Sequence, residues 1–205
     1  RQSKNQEEIK KHINSIGFEV DILTGEEEAY FGFLSVVNST SLQSGISIDI
    51  GGGSTEITKF VNRKMVNSIS LPFGVLSLNK MFPNKTGHPH SNLEDISNFI
   101  SNRFKNINWL QNSRLPIIGL GGSARNFGQI DQSMYDYPLK SVHQYDTDIK
   151  NMIELYEELK SYSHQSLLQI EGLSKERTDI IMPAILVFIS LANVVNAPFF
   201  QISKK

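Results

Sequence analysis

Three consecutive glycines close an alternating apolar run at Ile46-Ser47-Ile48-Asp49-Ile50-Gly51-Gly52-Gly53-Ser54-Thr55-Glu56, and no other stretch restricts this chain as strongly. Ile46, Ile48 and Ile50 recur at the two-residue period of a strand, and glycines lacking Cβ let the backbone turn with its N–H groups uncovered. Uncovered amides in a tight turn make a cradle for an anion. Asp49 stands at the strand's end, and Ser54, Thr55 and Glu56 leave the turn, so carboxylates and hydroxyls border the cradle. A phosphate accompanied by a divalent cation suits that set. The turn leads into Thr55-Glu56-Ile57, a strand rather than a helix, and lacks a Gly-Lys-Ser/Thr ending. It is therefore neither a Walker loop nor a dinucleotide-binding fingerprint.

Charge and composition narrow the partners. A net charge of -1 supplies no global basic field, so nucleic acid is not expected as a ligand. Trp109 and the phenylalanines at helical spacing read as core, without the interleaved basic residues that accompany base stacking. The absence of cysteine removes disulfides, thiolate metal sites and cysteine nucleophiles together, and fits a cytoplasmic setting. Ile180–Val195 is the longest apolar run, about 16 residues against the roughly 20 that span a bilayer, and it reads as buried helix. No membrane role is expected.

The rest of the chain alternates helical and strand patterns. Residues 5–16 place Ile9, Ile13 and Ile16 at helical spacing before Gly17, and residues 18–23 alternate as a short strand. Glu26, Glu27 and Glu28 open a helix running to Val37, where acids suit the helix dipole. Residues 57–61 and 65–71 pair with the first strand as antiparallel hairpins through Asn62-Arg63. A short helix is expected at 76–81. Ser91 to Glu94 resembles a capping box ahead of an apolar stripe from Leu93 to Leu110, a helix of about 18 residues. A buried strand at 115–120 runs into Gly121-Gly122-Ser123 and a helix from Ala124. An amphipathic helix follows at 146–161. Ser174 caps a run to Asn196 that Pro183 divides or kinks, and residues 197–203 read as a last strand.

The strand-to-glycine design thus occurs twice, which suggests one ligand whose phosphates are held from two sides. Each turn alone is also compatible with a tight structural connection. Four segments, taken together, resemble the exopolyphosphatase and guanosine pentaphosphate phosphohydrolase family: Leu23-Thr24-Gly25-Glu26-Glu27-Glu28-Ala29, Ile48 to Glu56, Ile118 to Arg125, and Gly172 to Ile181. That family lies in the actin, hexokinase and heat-shock-protein fold group. The resemblance implies an α/β fold, a ribonuclease-H-like domain with a mixed five-stranded sheet flanked by helices. It also implies hydrolysis of a terminal phosphate from inorganic polyphosphate or guanosine pentaphosphate, with magnesium or another divalent cation.

Carried onto this chain, the resemblance makes Glu28 the catalytic base, with Glu27 as the alternative. Asp49 and Glu56 would hold the metal, Glu56 also orienting the attacking water. Gly51, Gly52, Gly53 and Ser54, with Gly121, Gly122 and Ser123, would bind phosphate, and Thr55 and Arg125 are further candidates. The alternative roles are structural: a solvated first turn for the glutamates, a turn-capping carboxylate for Asp49, a strand-edge acid for Glu56 and a surface ion pair for Arg125. Arg177 and Asp179 are expected to cap and pair within helices. His88-Pro-His90 is not expected to bind metal, because a hard cation beside phosphate prefers oxygen.

Family members begin with an Asp-x-Gly-Ser-Asn-Ser phosphate motif on a preceding domain, and this sequence contains none. Residues 1–205 are therefore expected to be one domain, the second half of the phosphatase module, inactive or nearly so in isolation. The parent protein is expected to be a homodimer. An actin-fold kinase and a non-catalytic sensor of polyphosphate or alarmone are the rival functions.

Overall fold

The computed structural model describes residues 5–85 and 90–204. Its strands are β1 (Gly45–Ile50), β2 (Thr55–Val61), β3 (Lys64–Leu71), β4 (Ile117–Leu120), β5 (Tyr145–Thr147) and β6 (Phe200–Ile202), joined in one sheet of order β3-β2-β1-β4-β6-β5. β1 runs parallel to β4 and β4 to β6, whereas β2 and β3 form the antiparallel meander expected from the sequence. Asn62 and Arg63 turn the β2–β3 hairpin with φ of 50° and 60°, the left-handed pair whose twist matches that of the flanking strands.

Helices are α1 (Gln6–Ser15), α2 (Gly25–Val37), α3 (Val75–Met81), α4 (Leu93–Lys105), α5 (Gly121–Met134), α6 (Ile149–Lys160), α7 (His164–Leu167) and α8 (Ile181–Val195), with a 3₁₀ turn at Lys175–Arg177. They cover both faces of the sheet. On one face α2 packs Phe33, Val36 and Val37 against Phe60, Ile118 and Leu120. On the other, Ile46, Ile48, Ile50, Ile57 and Ile117 meet Phe104 of α4, Phe127 of α5 and Phe188 of α8 in the larger core. Arg63 ties the hairpin to α2, its guanidinium donating to the Thr40 carbonyl at 3.1 Å and to that of Val37, at the helix's carbonyl-rich end.

Several expectations are corrected. The sheet has six strands instead of five: Tyr145–Thr147 pairs with Phe200–Ile202, a three-residue strand too short to show a periodicity of its own. Residues 18–23 form no strand; Phe18 is 66% exposed, so the alternation there has no sheet to face. Helix α4 ends at Lys105, because Asn106 and Gln111 donate side-chain N–H groups to the Asn102 and Lys105 carbonyls at 2.9 and 2.7 Å. Ile107 and Leu110 are still buried, on turns. Ser91 does not cap α4; its hydroxyl accepts from the Lys85 N–H. Pro183 neither divides nor kinks α8, since it is the third residue of the helix, where an N–H has no intrahelical partner to lose. His88 lies outside the described residues. No described helix is long and apolar enough to cross a membrane.

Candidate active site

Parallel pairing of β1 with β4 carries both glycine segments to the same end of the sheet. Asp49 is the hinge of the arrangement: it lies opposite Glu56 on β2 and level with Leu120 on β4. Side chains alternate along a strand, so Ser47, Asp49, Glu56, Thr58 and Leu120 all face α2, and Ile48, Ile50 and Ile57 face the larger core. Helix α2 is held down by Leu120 against Gly32, and by Thr58, whose hydroxyl donates to the Ala29 carbonyl at 3.4 Å. Its first turn therefore brings Glu28 towards Asp49. Burial raises the Asp49 carboxyl above its ordinary value, the Glu28 charge raises it further, and Arg125 opposes the shift. Glu56 is 7% exposed and accepts a hydrogen bond from the Ser70 hydroxyl at 2.7 Å.

Glu27 is placed differently. Its carboxylate accepts from the Thr24 N–H at 2.7 Å while its own N–H donates to the Thr24 hydroxyl at 3.2 Å, a capping box that closes the start of α2. These bonds lower its carboxyl below the ordinary value. Thr55 also departs from expectation. One residue before Glu56, it points to the opposite face, where its buried hydroxyl donates to the Phe73 carbonyl at 2.7 Å.

The two glycine segments differ in construction. In the first, the Gly51 N–H donates to the Ser54 carbonyl at 2.9 Å, and the Gly51 and Gly52 carbonyls accept from Val75, Leu76 and Ser77 at 3.0 Å. The turn's carbonyl side is thus covered by the start of α3. Gly74 permits the approach, for a Cβ there would strike the backbone of residues 51–53. The second segment is the first turn of α5, not a loop ahead of it, and no side chain caps that helix. Its N-terminal amides and dipole suit an anion. Gly121 has φ +77°, and a Cβ on it would lie 2.5 Å from Asp49 Oδ1.

Arg177 sits against this second segment. Its guanidinium lies where a Cβ on Gly122 would go, and Nη1 is 3.5 Å from the buried Ser123 hydroxyl. Asn126 clasps the two parts together, its Nδ2 donating to the Gly122 carbonyl at 3.3 Å and its Oδ1 accepting from the Ser174 N–H at 2.8 Å. Arg177 was read from the sequence as a helix-pairing residue, and Ser70, Gly74 and Asn126 gave no signal at all. All four act across 14 or more residues of chain, in contacts that local pattern does not encode. Arg125 lies on the exposed side of α5, within electrostatic reach of Asp49. Asp179 pairs with His164 at 3.3 Å.

No group of three or more His, Cys, Asp and Glu side chains able to hold a metal by themselves occurs among the described residues. The oxygen donors of Asp49 and Glu56 still fit a magnesium-type cation, which takes one or two carboxylates and completes its shell with water and substrate phosphate. A half-buried carboxyl raised by its surroundings, such as that of Asp49, is stabilised by such a charge.

A sequence profile of the Ppx/GppA phosphatase family matches residues 1–205. The bifunctional 3-dehydroquinate synthase/phosphatase of Fusobacterium nucleatum is 24% identical over 205 residues, covering 96% of this chain and 30% of that protein. Exopolyphosphatase 1 of Mycobacterium bovis is 32% identical over 77 residues, 36% of this chain and 22% of that one. Among solved structures, an exopolyphosphatase from Cytophaga hutchinsonii aligns with TM-score 0.87 at 19% identity, over all of this chain and 68% of its own. The Aquifex aeolicus member of the Ppx/GppA family aligns with TM-score 0.83 at 21% identity, over 98% of this chain and 66% of its own. This chain therefore spans about two thirds of those structures and less than a third of the curated relatives.

Proposed function

The chain belongs to the Ppx/GppA phosphatase family, and from that membership we propose that it is the second, actin-like half of a phosphohydrolase removing terminal phosphate from inorganic polyphosphate or guanosine pentaphosphate. One observation carries the reading: Glu28, Asp49, Glu56 and both glycine segments converge on one end of the sheet. In this scheme the amides of Gly52 and Gly53 and the Ser54 hydroxyl hold phosphate oxygens from one side, while the Gly51 N–H, expected from the sequence to join them, is taken by the Ser54 carbonyl and shapes the turn. The α5 N-terminus at Gly121, Gly122 and Ser123 holds them from the other, with Arg177 and Arg125 offsetting negative charge. Asp49 and Glu56 would hold the magnesium ion, which when bound neutralises charge on the phosphate oxygens.

Glu28 takes a proton from the attacking water; the water oxygen bonds to the terminal phosphorus as the anhydride P–O bond breaks, and the shortened chain leaves. Phosphoryl transfer asks the protein mainly for positioning and charge stabilisation, which these groups provide. Glu28 is preferred to Glu27 because the Glu27 carboxylate is engaged by Thr24. Solved relatives extend beyond the matched region, which supports a cleft completed by a further domain. On this reading the parent is a cytoplasmic homodimer and the isolated 205 residues have little activity.

The test is Glu28→Gln in the full-length protein. Phosphate release from polyphosphate should fall by roughly 10²–10⁴ with polyphosphate binding retained, whereas Glu27→Ala should loosen the start of α2 and keep turnover. Unchanged release by Glu28→Gln would eliminate Glu28 as the base, whereas a parent protein that binds polyphosphate and releases no phosphate would favour a sensor.

A further inference from the structure

The β2–β3 hairpin contains an irregularity next to the site. From the turn it pairs Val61 with Lys64 and Phe60 with Met65, but Lys59 then meets Asn67, leaving Val66 as an extra residue on β3. Beyond this bulge the register continues to Ile57 opposite Ile69, Glu56 opposite Ser70 and Thr55 opposite Leu71. Without the extra residue, pairing from the same turn would set Ile69 opposite Glu56. A one-residue slip exchanges the two faces of a strand. Ile69 would then project beside the buried carboxylate, and Ser70 would project towards the apolar core. Bulges near active sites commonly re-aim a side chain in this way.

The bulge delivers one hydroxyl to one carboxylate. Ser70 Oγ donates to Glu56 Oε1 at 2.7 Å, and Glu56 is almost wholly buried. Such a bond fixes the plane of a carboxylate that three side-chain torsions would otherwise leave free to vary. Ile69 meanwhile packs on the larger core, so the same register satisfies both faces. We propose that Ser70 is a positioning residue that holds the Glu56 carboxylate in its cation-binding orientation, and that the Val66 bulge exists to place it there. This rests on Glu56 as a cation ligand, as assigned above.

Mn²⁺, a spectroscopic and calorimetric stand-in for magnesium, tests it by direct titration of the full-length protein. Ser70→Ala should weaken Mn²⁺ binding about 10–100-fold, the usual cost of losing a group that orients a metal ligand. Ser70→Thr keeps the hydroxyl and should restore affinity, while Ser70→Val has the same shape without it and should not. Ser68→Ala, on the same face of β3, should leave Mn²⁺ affinity unchanged. Equal affinity in the Thr and Val forms overturns the proposal, even if Ala disturbs the strand. Equal weakening by Ser68→Ala and Ser70→Ala also overturns it. Because Mn²⁺ binding is read without turnover, a protein that binds Mn²⁺ yet releases no phosphate would sink the hydrolase reading and not this one.

Discussion

Replacing Gly121 by alanine probes the joint between the second glycine segment and Asp49. The backbone there has φ +77°, and an alanine held in that left-handed region costs roughly 1–2 kcal/mol. Its Cβ would lie 2.5 Å from Asp49 Oδ1, where ordinary contact begins at 3.4 Å, so the carboxylate must retreat by 0.9 Å. Forcing a side chain off its rotamer adds about 0.5–1.5 kcal/mol. The expected loss is therefore ~1.5–3.5 kcal/mol, within the ~5–15 kcal/mol that holds a typical domain together. The protein should stay folded and lose function, because displacing a reacting or binding group by about 1 Å costs on the order of 10²-fold in rate. Urea unfolding reads the first quantity, and phosphate release across a magnesium titration reads the second. Gly17→Ala is the control, since Gly17 has φ +93° but nothing within 4 Å of its hypothetical Cβ; it should leave turnover unchanged. A folded Gly121→Ala protein with unaltered turnover and magnesium response would refute the placement of Asp49 at the reacting centre.

Two further outcomes follow from charge and capping. Asp49 has a carboxyl raised by burial, so the folded chain binds its proton more tightly than the unfolded one. Without metal, its contribution to stability should rise as pH falls through the folded value towards about 3.8, and the penalty is fully present at neutral pH. Asp49→Asn should therefore be more stable than the parent at pH 7 without metal, by about 1.4 kcal/mol for every tenfold difference in proton affinity. Magnesium should stabilise only the parent; equal melting curves with and without the ion in both proteins would contradict this. Arg63→Ala removes the donors that meet the Val37 and Thr40 carbonyls and should cost about 1–2 kcal/mol in thermal unfolding. An unchanged melting temperature would show that the hairpin does not anchor α2.

Much of the fold was legible because its signals are local. Ile46, Ile48 and Ile50 alternate because one face of β1 meets the core, and Asn62-Arg63 marks the hairpin because it closes a two-residue turn. The candidate site was legible as residue types on either side of glycines: Asp49, Ser54 and Glu56 around the first, Ser123 and Arg125 after the second. Failures occurred where a short segment depends on a distant partner. Tyr145–Thr147 is a strand only because Phe200–Ile202 offers it an edge, and residues 18–23 alternate with no edge to join. Thr55 adjoins the site in sequence yet faces away from it, since a strand turns successive residues to opposite sides.

Order along the chain thus decided where the backbone would turn with uncovered amides and which acids would stand beside those turns, for glycine conformation and strand period act over a few residues. Pairing decided everything that needs two segments. The parallel register of β1 with β4 set Gly121 against Asp49, the packing of α2 brought Glu28 over that carboxylate and left Glu27 in a cap, and one extra residue in β3 turned Ser70 towards Glu56. Such contacts arise from burying both faces of a sheet at once, a condition imposed by the whole core and written in no single stretch of the sequence.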